Sequence, residues 1–136
     1  MVQTQKQSLL IRLYSFGYHA SGIPAGDPQH GGGFVFDCRG LPNPGREEKF
    51  TGKTGQDAEV IQYLEQFPMV HDYLDHVYRL IEMTAQNYLQ RQFTALMVSF
   101  GCTGGQHRSV YCAEAIAAKL KNAGFNVKVI HRDKPE

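Results

Sequence analysis

The chain of 136 residues has the length of one domain, enough to bury about two-thirds of the surface its unfolded form exposes, and this argues against two domains. A formal net charge of +1 removes any overall demand for a nucleic-acid or membrane partner, so a basic surface would have to come from local segregation of charge. Segregation is visible: Asp57, Glu59, Glu65, Asp72, Asp75 and Glu82 face only Arg79 in residues 57–82, whereas Lys119, Lys121, Lys128, Arg132 and Lys134 outweigh Asp133 and Glu136 after Glu114.

In chain order, the opening "MVQTQKQSLL" has no apolar signal core, and no run approaches the ~20 apolar residues of a membrane span. Residues 9–16 read as a strand ending at Gly17, and "FVFDC" at 34–38 as a second short strand. Between them "GIPAGDPQHGGG" holds five glycines and two prolines in twelve residues, the composition of a mobile loop. "LPNPG" then sets Pro42 and Pro44 around Asn43, a rigid turn that would hold Asp37, Arg39 and Asn43 in fixed relation.

Residues 57–67 predict a short helix ended by Pro68, and Val70, Tyr73, Leu74, Val77, Ile81, Ala85 and Tyr88 predict a longer amphipathic one to about Gln90. Its His71, Asp72, Asp75 and His76 read as a solvated face rather than metal ligands, and no metal or cofactor is expected. "ALMVSF" at 95–100 has the character of a buried central strand. A helix then runs from near His107 to near Gly124, and Val127 to Ile130 form a last strand. The order β, β, α, α, β, α, β predicts one α/β domain over residues 1–136, a three-layer-type sandwich with a small, largely parallel sheet of about four strands flanked by helices. Cys38, Cys102 and Cys112 match neither a disulfide framework nor a metal knuckle, which points to free thiols and a cytoplasmic setting.

The chemistry concentrates in "SFGCTGGQHRSV" at 99–110, where a strand meets a glycine turn and a helix. In an open α/β sheet ligands sit at the carboxyl ends of the strands. Gly104 and Gly105 let backbone amides converge there, and the helix that follows aims its positive dipole end at the same place. Arg108 adds a charged donor, and Thr103 and Ser109 add hydroxyls, so the corner reads as a phosphate pocket. The lysine of a nucleotide-binding P-loop is absent. Cys102, five residues and Arg108 also have the spacing of the cysteine-dependent phosphatases' loop, with Asp37 as candidate acid. Against that stand Gly101, where those enzymes place a histidine, and an extra glycine after Thr103.

"SFG" at 15–17, "GIP" at 22–24, "FVFDCRGLPNP" at 34–44, "TG" at 54–55 with Asp57, and "GCTGGQHRSVY" at 101–111 together resemble the C-terminal domain of the RapZ family of RNase adapter proteins over nearly the whole chain. The resemblance implies a non-catalytic ligand- and RNA-binding domain whose pocket accepts an amino-sugar phosphate and whose subunits form homo-oligomers. It places the phosphate on Thr103, Gly104, Gly105, His107, Arg108 and Ser109, and the sugar on Asp37, Arg39, Asn43 and His19. His19 replaces a lysine of the family, Gly45 a histidine or aromatic residue, and Thr51-Gly52 an Arg-Pro pair. The resemblance does not reach the family's N-terminal nucleotide-binding half, so the expectation for these 136 residues is ligand binding without coupling to nucleotide. Lys128, Arg132 and Lys134 are the candidate contacts to structured RNA.

Overall fold

The computed structural model describes residues 6–26 and 31–135. Among them the chain forms strands β1 (Leu10–Gly17), β2 (Phe34–Asp37), β3 (Ala95–Cys102) and β4 (Asn126–His131), and helices α1 (Ala58–Glu65), α2 (Pro68–Gln90) and α3 (Arg108–Asn122). The strands make one sheet in the order β2-β3-β1-β4, every pairing parallel. This is the α/β sandwich expected, with a sheet that is wholly rather than largely parallel.

Alternation along the strands decides which face is buried. Ile11 and Leu13 of β1 and Val98 and Phe100 of β3 are fully buried and join Val77 and Ile81 of α2 and Ile116 and Leu120 of α3 in one core. Each such side chain contributes on the order of 1.5–3 kcal/mol by leaving water. Arg12, Tyr14 and Met97, at the alternate positions, are only half-buried, and Val35 and Lys128 are exposed.

Helix α2 begins two residues before its first buried position, Val70, because Pro68 occupies its first turn, where the missing N–H costs nothing. Its apolar stripe Val70, Leu74, Val77, Ile81 and Ala85 is buried as the periodicity requires, and His71, Asp72, Asp75 and His76 are exposed. Asp57 stands at the start of α1, but its carboxylate accepts from the Thr54 amide at 2.6 Å, tightening the preceding turn. The segment read as a loop carries no helix or strand among its described residues, and residues 27–30 lie outside them. No helix among the described residues is long and apolar enough to cross a membrane.

The register levels the carboxyl ends of three strands. Gly17 pairs with Cys102 and Asp37 with Gly101, so β1, β2 and β3 deliver Tyr18, Cys38 and Thr103 to one edge of the sheet. That edge carries the candidate site.

Candidate functional site

The turn from β3 to α3 is held from below by backbone. Tyr18 N–H donates to the Cys102 carbonyl at 2.8 Å and His19 N–H to that of Thr103 at 3.1 Å. Gly105 has φ +79, and a Cβ there would lie 2.5 Å from the Gly17 nitrogen and 2.9 Å from the Asp133 Cβ, so only glycine lets the turn press onto the end of β1. The Asp133 carboxylate fastens the same place: one oxygen accepts from the Gly17 amide at 2.8 Å, the Ser21 amide at 3.3 Å and the Ser21 hydroxyl at 2.6 Å. Burial works against the ionised form of Asp133, but the Ser21 and Gly17 hydrogen bonds outweigh it and hold its pKa below the ordinary value.

Helix α3 starts at Arg108 with His107 as its first flanking residue and no side-chain cap, which leaves the first-turn N–H groups without intrahelical partners. Arg108 is 5% exposed. Its Nη1 donates to the carbonyls of Arg39 at 2.8 Å and Leu41 at 3.1 Å, and its Nη2 lies 3.5 Å from the Thr103 hydroxyl. Its Nε and the Nε2 of His107 are buried with no hydrogen-bond partner. No carboxylate pairs with Arg108 among the described residues. Carbonyl dipoles therefore hold a buried cation that no carboxylate touches among the described residues, Asp37 feeling its charge only from a distance, and an anion in contact with it would offset the cost of burying it.

A cavity of about 440 Å³ opens at this point, bounded by Arg39, Leu41, Asn43, Arg46, Thr103 and Arg108, with Tyr63 and Glu47 also in its lining. Its lining carries three guanidinium groups and one carboxylate, and because Arg39 is paired with Asp37 the excess positive charge comes from Arg46 and Arg108. Asn43 is committed in part, since its Oδ1 accepts from the Gly45 amide at 2.9 Å and so shapes the 3-10 turn Pro44–Arg46. Arg39 forks onto the Asp37 carboxylate at 2.9 and 2.8 Å and lies 3.8 Å from the centre of the Tyr18 ring. The Arg39 hydrogen bond lowers the Asp37 pKa, with a further lowering by the nearby Arg108 charge, so Asp37 is a carboxylate at neutral pH and a poor proton donor.

Cys102 lies on the other side of the turn. It is 3% exposed within the apolar core, its thiol donates to the Ser109 hydroxyl at 3.2 Å, and Ser109 is fully buried. Cys102, Gly105, Ser109 and Asp37 do not line the 440 Å³ cavity. His19 is exposed and meets the turn through its backbone amide. The structure thus brings Thr103, Arg108, Arg39 and Asn43 together around one opening, with exposed Gly104 beside them, and turns Cys102 and Ser109 inward.

Arg46, Tyr63, Tyr18 and Asp133 were not singled out by sequence reasoning. Arg46 directly follows the proline turn, a basic residue at a fixed corner, and was the one with a local signal. The predicted basic set lies on and beyond β4. Lys134 donates to the Gln56 side chain at 2.5 Å, Lys128 is exposed on β4, and Arg132 is exposed while its amide bonds the Ser15 carbonyl at 3.0 Å.

Residues 9–135 match the family described as the RapZ C-terminal domain. A nucleotide-binding protein of Methylococcus capsulatus is 44% identical over 124 residues, 91% of this chain and 40% of that protein. A nucleotide-binding protein of Acidobacterium capsulatum is 42% identical over 129 residues, covering 95% and 40% of the two chains. One of Thermotoga neapolitana is 36% identical over 132 residues, covering 97% and 45%. The chain therefore spans about two-fifths of the length of these relatives. On the strength of a match that runs from β1 through the residues beyond β4, the chain belongs to the RapZ C-terminal domain family.

Proposed function

We propose that this domain reversibly binds a small phosphorylated sugar in the cavity between Arg108 and the Asn43 turn. The observation that carries the reading is the buried Arg108 guanidinium, fixed by two backbone carbonyls and, among the described residues, touched by no carboxylate, beside the open first turn of α3. A phosphate there would receive the helix N-terminal amides, the Thr103 hydroxyl and charge from Arg108, with Arg39 and Arg46 across the opening. Asn43 and Glu47 then face the sugar, and Glu47 offers an acceptor suited to an ammonium or hydroxyl group, which fits an amino-sugar phosphate. Hydrolysis finds no support: the thiol at the phosphatase position is turned into the core, and Asp37 is held ionised by Arg39. The relatives that carry this domain are named as nucleotide-binding over chains more than twice as long, so that name alone does not assign this cavity its ligand.

Calorimetry with glucosamine 6-phosphate, glucose 6-phosphate and inorganic phosphate tests the proposal. Saturable binding of a sugar phosphate, weakened in Arg46→Ala and Arg108→Ala, is the expected result. No heat with any of them in the wild type would remove it.

A further inference from the structure

A second cavity, of about 480 Å³, lies toward the opposite end of β1 and β3. Its floor is Arg12, Tyr14 and Met97, from the strand positions that alternate with the buried core residues. The two limbs of the glycine-rich segment form one wall: a Cβ on Gly26 would sit 2.1 Å from the Gly32 nitrogen, and one on Gly33 would sit 2.0 Å from the Met97 carbonyl oxygen. The glycines thus let bare backbone lie against backbone and against β3. Tyr88 and Phe93, at and beyond the end of α2, supply the other wall.

Two features give this cavity a chemistry. Arg12 is half-buried, and its guanidinium has neither a hydrogen-bond nor an ion-pair partner among the described residues. Lys128, its register partner on β4, is not in the cavity's lining but stands on the same face one strand away, so a second cation flanks the opening beside Arg12. Like charges directly opposite on neighbouring strands repel, and an anion beside them relieves that repulsion. Across the cavity Tyr88 and Phe93 pack edge to face at 4.9 Å; Phe93 is 37% exposed, and the Arg91 guanidinium lies 4.5 Å from its ring centre, over one of its faces. Exposed aromatic surface of this kind stacks well on a flat ring.

We propose that this cavity is a second ligand site, separate from the Arg108 corner, for a small molecule that joins a flat aromatic ring to a phosphate, the chemistry of a nucleoside monophosphate. The phosphate pairs with Arg12 and Lys128, the ring stacks at Phe93 and Tyr88, and the Tyr14 hydroxyl and the glycine backbone complete the contacts between them. The volume falls within the range of pockets that enclose a ligand of that size, roughly 300–1,000 Å³.

Adenosine 5′-monophosphate is the probe, with adenosine and inorganic phosphate as its two halves, followed by calorimetry and by amide chemical shifts. The expected result is saturable binding about tenfold tighter than that of either half, with shifts at residues 12–14 and 88–97. Arg12→Gln and Phe93→Leu should each weaken it by about tenfold, and Arg46→Ala, at the rim of the other cavity, should leave it unchanged. Neither Arg12 nor Phe93 belongs to the core, and thermal melts verify that the variants fold. No saturation at about 10 mM, equal affinity in wild type and Arg12→Gln, or loss of binding in Arg46→Ala would each overturn the proposal. Tighter binding of a short single-stranded oligonucleotide than of the monophosphate would overturn it as well, since the site would then read a polymer.

Discussion

Gly104 and Gly105 are neighbours in the turn after β3, yet a methyl group on the first would meet nothing within 4 Å, and on the second would lie 2.5 Å from the Gly17 nitrogen. Gly104 is exposed and Gly105 is buried. The turn thus has a structural side and an open side, one residue apart. On the structural side Gly105, Gly17, Asp133 and Cys102 close backbone and core together. On the open side Thr103 and Gly104 are exposed, and Thr103 and the buried Arg108 line the cavity. A motif that reads as one phosphate loop is in physical terms two devices, and only one of them is available to a ligand.

Alanine at each glycine separates the two most strongly. Gly105→Ala combines a positive φ with a backbone collision and should cost about 3 kcal/mol or more, out of a total of only about 5–15. The expected drop in melting temperature is roughly 10 °C or greater. Gly104→Ala should change stability by less than about 0.5 kcal/mol and act, if anywhere, on ligand affinity. Equal melting temperatures for the two variants would dissolve the distinction.

Arg108→Ala should weaken sugar-phosphate binding by about a hundredfold, the magnitude of a charged hydrogen-bonding partner lost from a dry site. Arg108→Lys sharpens the point. An ammonium keeps the charge but cannot hold the two carbonyls of residues 39 and 41 while presenting a planar donor to phosphate, so most of the affinity should remain lost. Full rescue by lysine would mean that bulk charge, rather than the forked geometry, is what the cavity uses.

The site was legible in the sequence where its residues are contiguous and their types are distinctive. Thr103, Gly104 and Arg108 follow a buried apolar strand, and that pattern alone predicts an anion-binding corner. What holds Arg108 in place was not legible, because its partners are backbone carbonyls 69 and 67 residues away and any residue type supplies a carbonyl. Asp133 was equally hidden: it read as one acid in a basic tail, and its three bonds span 116 and 112 residues. The strands were readable from their apolar runs, but the placing of β1 between β3 and β4 depends on long-range pairing and leaves no trace in local periodicity. The second cavity was invisible for the same reason, since Arg12 and Lys128 meet only through that pairing.

A titration reads the structural side. Asp133 has a pKa below its ordinary value, so its ionised form is favoured by folding and its contribution is present at neutral pH. That contribution fades as pH falls below the unfolded value of about 3.9 and on through the lower folded value. Asp133→Asn should therefore cost about 1–2 kcal/mol in urea unfolding at pH 7, with the gap to wild type narrowing toward pH 3. A gap that widens on acidification would mean that Asp133 is not the anchor its contacts describe.

The smallest effect is expected at Cys102, and its smallness is what the comparison requires. The thiol is 3% exposed and gives its hydrogen to Ser109, itself fully buried, so it belongs to the structural side of the turn despite standing six positions before Arg108. A nucleophile needs an open path to phosphorus and a thiolate, and an acid near the leaving oxygen. The cavity wall includes neither Cys102 nor Asp37, and Asp37 is held as a carboxylate by Arg39. Wild type and Cys102→Ser should thus bind sugar phosphate within about twofold of each other and show no turnover of an activated aryl phosphate. Iodoacetamide should label the native protein slowly at neutral pH, and quickly only once denaturant exposes all three buried cysteines. Rapid labelling of the native thiol together with turnover that disappears in Cys102→Ser would move Cys102 to the open side and make the corner a phosphatase site.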